Sequence, residues 1–284
     1  MAVRLAEHFN GEIVSVDSMQ VYRGMDIGTA KPTMLERRGI RHHLVDVAEP
    51  EEEFSVASFR RLGREVLAGA EAPVMIITGG SGLHFRALVD PMSFAPTDGP
   101  LRAELERRDA EGLVEELLSA DPEAGAHVDL ANRRRVVRAI EILLLTGETP
   151  SSRSQSARAE DVRRYVPEID FEAVGVDPGG DLEERVDQRL ASMRRGGLVD
   201  EVRSLSPRLG RTARNAVGYR EILDALAGDI SVDAAFDRAA ANTKKLARRQ
   251  RTWFQRDPRI RWTPWIEDIE QRTKRILESL DETV

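Results

Sequence analysis

The chain has 284 residues, 32% charged and 41% hydrophobic, with 42 Lys and Arg against 49 Asp and Glu. That length buries one large core, or one core and a smaller satellite, and the mixture excludes a disordered chain. Zero Cys excludes a disulfide framework, a thiolate-held zinc and a thiol nucleophile. No apolar run approaches the ~20 residues that span a bilayer, and no signal-peptide core opens the chain. A cytoplasmic protein with no membrane partner is expected. The net charge of −7 opposes nucleic-acid binding as a sum, but acids and cations are segregated along the chain, so a basic face stays open.

Val3, Leu5, Ala6 and Phe9 are spaced as on a helix, which Asn10-Gly11 stops. Residues 12–16 (EIVSV) alternate and are β-branched, predicting a strand that ends at Asp17-Ser18. A polar, glycine-containing stretch over 23–33 leads to a second short strand at 43–47. Residues 55–69 form an amphipathic helix with Ser55 as N-cap. The unbroken apolar run 73–78 (PVMIIT) predicts a parallel strand covered on both faces, running into Gly79-Gly80-Ser81-Gly82. After a linker at 96–100, residues 101–147 are helical and heavily charged, and a Ser/Arg-rich loop follows at 149–159. Residues 170–176 return as a strand, and from Asp181 the chain is again mainly helical.

This order predicts an α/β protein: a parallel-sheet core of residues 1–96 and 167–284 carrying a helical insertion of residues 97–166. A parallel unit opens with a strand, whereas this chain opens inside a helix. The sheet is therefore expected to lack its first strand, with unpaired backbone groups facing a gap.

The stretch from Asp17 to Pro32 (DSMQVYRGMDIGTAKP) begins at the carboxyl end of a strand, where open α/β sheets bind ligands. A carboxylate there accepts a proton, and Gln20 offers a donor and an acceptor suited to a base edge. An Asx-turn that merely closes the strand accounts equally for Asp17 taken alone. The Gly79–Ser81 turn brings backbone and a small hydroxyl close to a ligand, or is a plain strand-to-helix turn. Arg134, Arg135 and Arg138 share a side of one helix, and Lys244–Arg256 holds six cations and no acid, with Trp253 and Phe254 interleaved. Such runs are either solvated faces or phosphate contacts, and Trp253 is read as core.

As strings, these segments resemble the signatures of bacterial tRNA dimethylallyltransferases. The first is similar to the family's DSxQxYxGxDIGTAKP, and GGSGLH to GGTGLY with Ser81 for Thr and His84 for Tyr. NRRRVVRAIE is similar to N/QxxRxxRALE. Two further strings, RNAVGYRE and KKLARRQRTWFQR, are similar to (Q/R)AxGYxE and T(R/K)xxAKRQxTWFR. The resemblance implies a P-loop NTPase-like fold. It also implies a transferase that moves a dimethylallyl group from its diphosphate onto the exocyclic amine of the adenosine 3′ of the anticodon, with Mg²⁺, acting as a monomer on the tRNA anticodon stem-loop. By position it assigns Asp17 as general base, and Ser18, Met19 and Gln20 to the flipped base. Ser81, Arg102, Arg135 and Arg138 are assigned to tRNA. Lys31 and Arg214 are the cations expected at the diphosphate, Arg214 standing beside Asn215, where the family has Gln or Arg. The family opens with a strand and a nucleotide-binding phosphate loop, G-x-T-x-x-G-K-S/T, that has no counterpart here, since residues 1–5 align with the helix after it. A start assigned too late is the expected reason, and little transfer is expected from these 284 residues alone. Two other classes stay open: an RNA-binding module without catalysis, and a prenyltransferase of free adenine nucleotides.

Overall fold

The computed structural model describes residues 1–281. Two compact units form, one from Met1–Leu88 with Phe171–Val284, the other from Val89–Asp170.

In the first unit the chain runs α1 (Ala2–His8), β1 (Glu12–Val16), α2 (Met34–Arg37), β2 (His42–His43), α3 (Val56–Ala68), β3 (Met75–Gly79) and α4 (Gly82–Val89). β1 is central and parallel to both neighbours, in the order β2-β1-β3, with Glu12 opposite Met75 and Val16 opposite Gly79. Ile13, Val14 and Val16 are buried, as are Phe59 of α3 and Ala87 and Leu88 of α4, the burial that a β-branched parallel strand requires. Ser55 caps α3, its hydroxyl accepting the Ser58 N–H at 3.0 Å. The second strand is shorter than the expected 43–47, because Leu44 and Asp46 take left-handed backbone (φ 60° and 56°) that ends an extended run. β3 is only half-buried rather than covered on both faces; among the described residues it pairs with β1 alone.

After the helical unit the chain returns as β4 (Ala173–Asp177), then α10 (Leu182–Arg195), α11 (Leu198–Leu205), α12 (Arg211–Arg214), α13 (Tyr219–Leu226), α14 (Val232–Phe254), β5 (Ile260–Pro264) and α15 (Ile269–Asp281). β4 and β5 form a separate parallel pair in register from Ala173–Ile260 to Asp177–Pro264. β5 is a strand inside the stretch expected to be helical. Its five residues alternate apolar and polar, but the run is short and ends at Pro264, and its strand partner is the remote β4.

The second unit holds α5 (Gly99–Leu105), α6 (Ala110–Ala120), α7 (Arg133–Thr146), α8 (Pro150–Ser154) and α9 (Ala157–Arg163). Asp98, Asp109 and Asn132 cap α5, α6 and α7 through their side chains. The loop expected at 149–159 contains α8 and the start of α9, because Thr149 and Ser156 accept backbone N–H groups as N-caps and Pro150 sits at a first helical position. Leu105, Leu113, Leu117, Val136 and Ile140 form the core, each no more than 1% exposed. Among the described residues no helix is long and apolar enough to cross a membrane.

Leu117→Ala removes buried methyl groups from that core and is expected to cost about 2–5 kcal/mol. Native-state hydrogen exchange checks it: amides of α6 and α7 should exchange faster by that free energy, and unchanged protection would contradict the core assignment.

Candidate functional site

The site is set by how β1 and β3 end. Gly79 lies so close to β1 that a Cβ there would sit 2.2 Å from the Val16 carbonyl oxygen. The same oxygen accepts the Ser81 N–H at 3.3 Å, so the turns after the two strands are joined. In the first turn, Asp17 Oδ1 accepts the N–H groups of Met19 at 2.8 Å and Gln20 at 3.3 Å. One oxygen thus closes an Asx-turn, and Oδ2 keeps no hydrogen-bond partner among the described residues. Ser18, Met19 and Gln20 follow it, all partly exposed.

In the second turn the Ser81 hydroxyl lies 2.7 Å from His84 Nδ1. His84 is buried, its ring edge-on to Phe59 at 4.8 Å. Burial lowers its pKa below the usual histidine value and the Asp17 charge pulls the other way without cancelling it, so the imidazole is neutral at pH 7. Arg189 of α10 is the cation that senses Asp17. Arg189 is exposed, and desolvation by the surrounding protein lowers its pKa while the Asp17 charge opposes that shift. Nothing in the charged sequence of α10 sets Arg189 apart from its neighbours.

The rest of the DIGTAKP string is support. The Glu201 carboxylate of α11 accepts three consecutive backbone N–H groups, from Asp26, Ile27 and Gly28, at 3.0, 2.7 and 3.0 Å, and the Tyr219 hydroxyl at 2.5 Å. Gly28 must be glycine, since a Cβ would lie 2.4 Å from the Tyr219 ring. Lys31 differs from its expected place at a diphosphate. Its ammonium is buried and gives its three hydrogens to Tyr22 O at 2.8 Å and to Asp26 and Asp46 at 2.6 Å each, leaving none for a ligand. Arg214 is exposed, at the end of α12, with Nη2 3.3 Å from the Ser206 carbonyl.

The basic run on α14 finds its acids on another helix and the strand end. Lys244 pairs with Asp187, Arg248 with Glu183 and Arg251 with Asp177. Trp253 covers Gly82, whose Cβ would meet the indole at 2.2 Å.

In the helical unit Glu141 is fully buried and grips both Arg102 (Nη2 at 2.5 Å) and Arg138 (Nη1 at 2.6 Å), along with the Asp98 N–H at 2.9 Å. Arg138 also donates to the carbonyls of Ala95 and Pro96. Both guanidiniums stay about 30% exposed, which turns the cluster into a fixed positive surface rather than a cancelled pair. Arg135, one residue past Arg134, is exposed and its side chain has no partner among the described residues.

Residues 20–257 match the IPP transferase family. The chain is similar to the tRNA dimethylallyltransferase of Bifidobacterium longum, 44% identical over 92% of this chain and 80% of that one. To its namesake from Parafrankia sp. it is 45% identical, over 92% and 82%. A solved tRNA isopentenylpyrophosphate transferase from Bacillus halodurans superposes with a TM-score of 0.71 at 32% identity, covering 99% of this chain and 90% of that one. The fold is thereby that of a P-loop-like α/β transferase. The chain belongs to the tRNA dimethylallyltransferase family.

Burial pushes the Glu141 pKa up, but Arg102, the Asp98 N–H and Arg138 outweigh it, so the folded value lies below the ordinary 4.5. Its stabilisation is fully present above the unfolded value and is lost as pH falls through the lowered folded one. Glu141→Gln should therefore lower the thermal midpoint by several degrees at pH 7, with the gap from the parent closing below about pH 4. A gap that stays constant down to pH 3 would contradict the ionic cluster.

Proposed function

We propose that this chain transfers a dimethylallyl group from dimethylallyl diphosphate to the exocyclic N6 of the adenosine 3′-adjacent to the anticodon of tRNA. What carries the reading is Asp17: a carboxylate at a strand's carboxyl end with one oxygen fixed in a turn and the other open, inside a family of that activity. The target base has to leave its stack, since the amine is otherwise enclosed. Ser18, Met19 and Gln20 then line it. The N6 lone pair forms the bond to C1 of the dimethylallyl group, the C1–O bond breaks, and diphosphate leaves with that electron pair. Asp17 Oδ2 takes the N6 proton.

Arg189 and Arg214 are the cations we assign to the diphosphate, and Lys31 is not, because its hydrogens are spent. Ser81 offers its hydroxyl to the RNA, and Arg102, Arg135 and Arg138 meet its phosphates from the helical unit. Among the described residues no group of three or more acidic or histidine side chains is placed to hold a metal. The donor set therefore fits Mg²⁺ only as an ion held chiefly by the diphosphate's own oxygens, with at most the Asp17 carboxylate added, as this ion commonly is. The arginine surface of the helical unit favours a polyanionic RNA over a free nucleotide.

Asp17→Asn keeps the turn's acceptor and removes the base. It should lower the rate of transfer to an anticodon stem-loop by about 10²–10⁴-fold with RNA affinity within about twofold of the parent. A rate unchanged, or an affinity loss that accounts for the whole effect, would sink the assignment.

A further inference from the structure

Gln20 faces the proposed base position with an amide whose two ends are already assigned. Nε2 donates to the Thr29 carbonyl oxygen at 3.2 Å, and Oε1 accepts from the Ser15 hydroxyl at 2.9 Å. A carbonyl oxygen only accepts, so the Thr29 contact admits the NH₂ end and no other. Ser15 cannot make this choice, because a hydroxyl donates or accepts as required. One N–H and one lone pair of the Gln20 amide remain for a ligand.

Which of these sits where decides which purine fits. Adenine presents a donor at position 6 beside a ring-nitrogen acceptor, and an amide pairs with it through oxygen at position 6. Hypoxanthine and guanine present an oxygen acceptor at position 6 beside an N1–H, and the same amide pairs with them after a half-turn. The 6-substituent has to face Asp17 for the reaction, so the base cannot turn over instead. A freely rotating glutamine would thus accept both kinds of purine, and a locked one discriminates.

The lock is only as firm as the Thr29 carbonyl. That group belongs to a loop with no regular structure, and its position is held from below. Glu201 takes the N–H groups of Asp26, Ile27 and Gly28, the Tyr219 hydroxyl and ring fix Glu201 and Gly28, and the Thr29 hydroxyl donates to Met25 O at 2.5 Å. We propose that Glu201, with Tyr219, is a positioning device for base specificity, acting through the Thr29 carbonyl to hold the Gln20 amide in its adenine-reading orientation. This rests on the placement of the target base beside Asp17 and Gln20 described above.

A Gln at position 201 has the shape of Glu, but its NH₂ would confront N–H donors, so Glu201→Gln frees the loop. Tyr219→Phe removes one anchor of the carboxylate and leaves the backbone contacts. The test is the dissociation constant of the full chain for anticodon stem-loops carrying adenine or hypoxanthine at the target position. The parent should prefer adenine about tenfold or more, the discrimination of one bidentate pair. Glu201→Gln should bring the ratio close to one, and Tyr219→Phe should lower it part of the way, which keeps the test open if Glu201→Gln folds poorly. A structural role alone would weaken both RNAs equally and leave the ratio as it was, overturning the proposal. Gln20→Ala separates the two ways of failing. A ratio lost in Gln20→Ala but kept in the Glu201 and Tyr219 variants rejects the lock alone. A ratio kept in Gln20→Ala rejects the placement of the base, and the lock with it.

Discussion

The pairing of β1 with β3 is the contact on which the site depends. Parallel register sets Val16 opposite Gly79, and the missing side chain at Gly79 lets the two backbones close until Ser81 N–H reaches the Val16 carbonyl. From this one approach, Asp17 and Ser81 open at the same end of the sheet. His84 of α4 stacks edge-on against Phe59 of α3 beside that end, and the Asp17 charge reaches both His84 and Arg189. A larger residue at position 79 would separate the two turns before it touched any ligand.

Around that end the protein separates charges that act from charges that hold. Asp17 keeps a free oxygen. Glu201, Glu141, Asp26 and Asp46 are spent on backbone amides, arginines and Lys31; the buried Glu141 carboxylate and the buried Lys31 ammonium are tolerated only because they have such partners. Lys31 and Glu201 are two halves of one arrangement: a buried cation and a carboxylate nest pin opposite sides of the 25–31 loop. Glu141 does the corresponding work in the helical unit, where it keeps Arg102 and Arg138 pointed and partly solvated. Of these supports only Lys31 looks like a site residue in the sequence, and in the structure its three hydrogens hold the loop instead.

Much of this was legible in the chain. Alternation in 12–16 and the run at 73–78 gave the two strands that matter, and Ser55 and the Asn10-Gly11 stop marked helix ends through capping chemistry. At the level of single residues the local turn at Asp17 was legible, its Oδ1 accepting the Met19 and Gln20 N–H groups. Lys31 could not be read, because what consumes its charge is Asp46 and the fold of the loop, neither visible as spacing. Arg189 was silent for the converse reason: its partner is a charge more than a hundred residues away, and only the packing of α10 brings them together. The cations of α14 left two readings open as a run, since the acids that Lys244, Arg248 and Arg251 meet lie on α10 and at the end of β4. β5 was hidden because its alternation covers only five residues between two helices, and its partner β4 lies far away in the chain.

The central claim is that the target adenine comes to rest at the turn after β1. Photocrosslinking tests this most directly, with an anticodon stem-loop carrying 8-azidoadenosine at the position 3′ of the anticodon, bound to the full chain and mapped by peptide mass spectrometry. The account predicts crosslinks within residues 17–20, lost on competition with unmodified stem-loop. Crosslinks confined to the arginine face of α7, or none above a scrambled RNA, would contradict it.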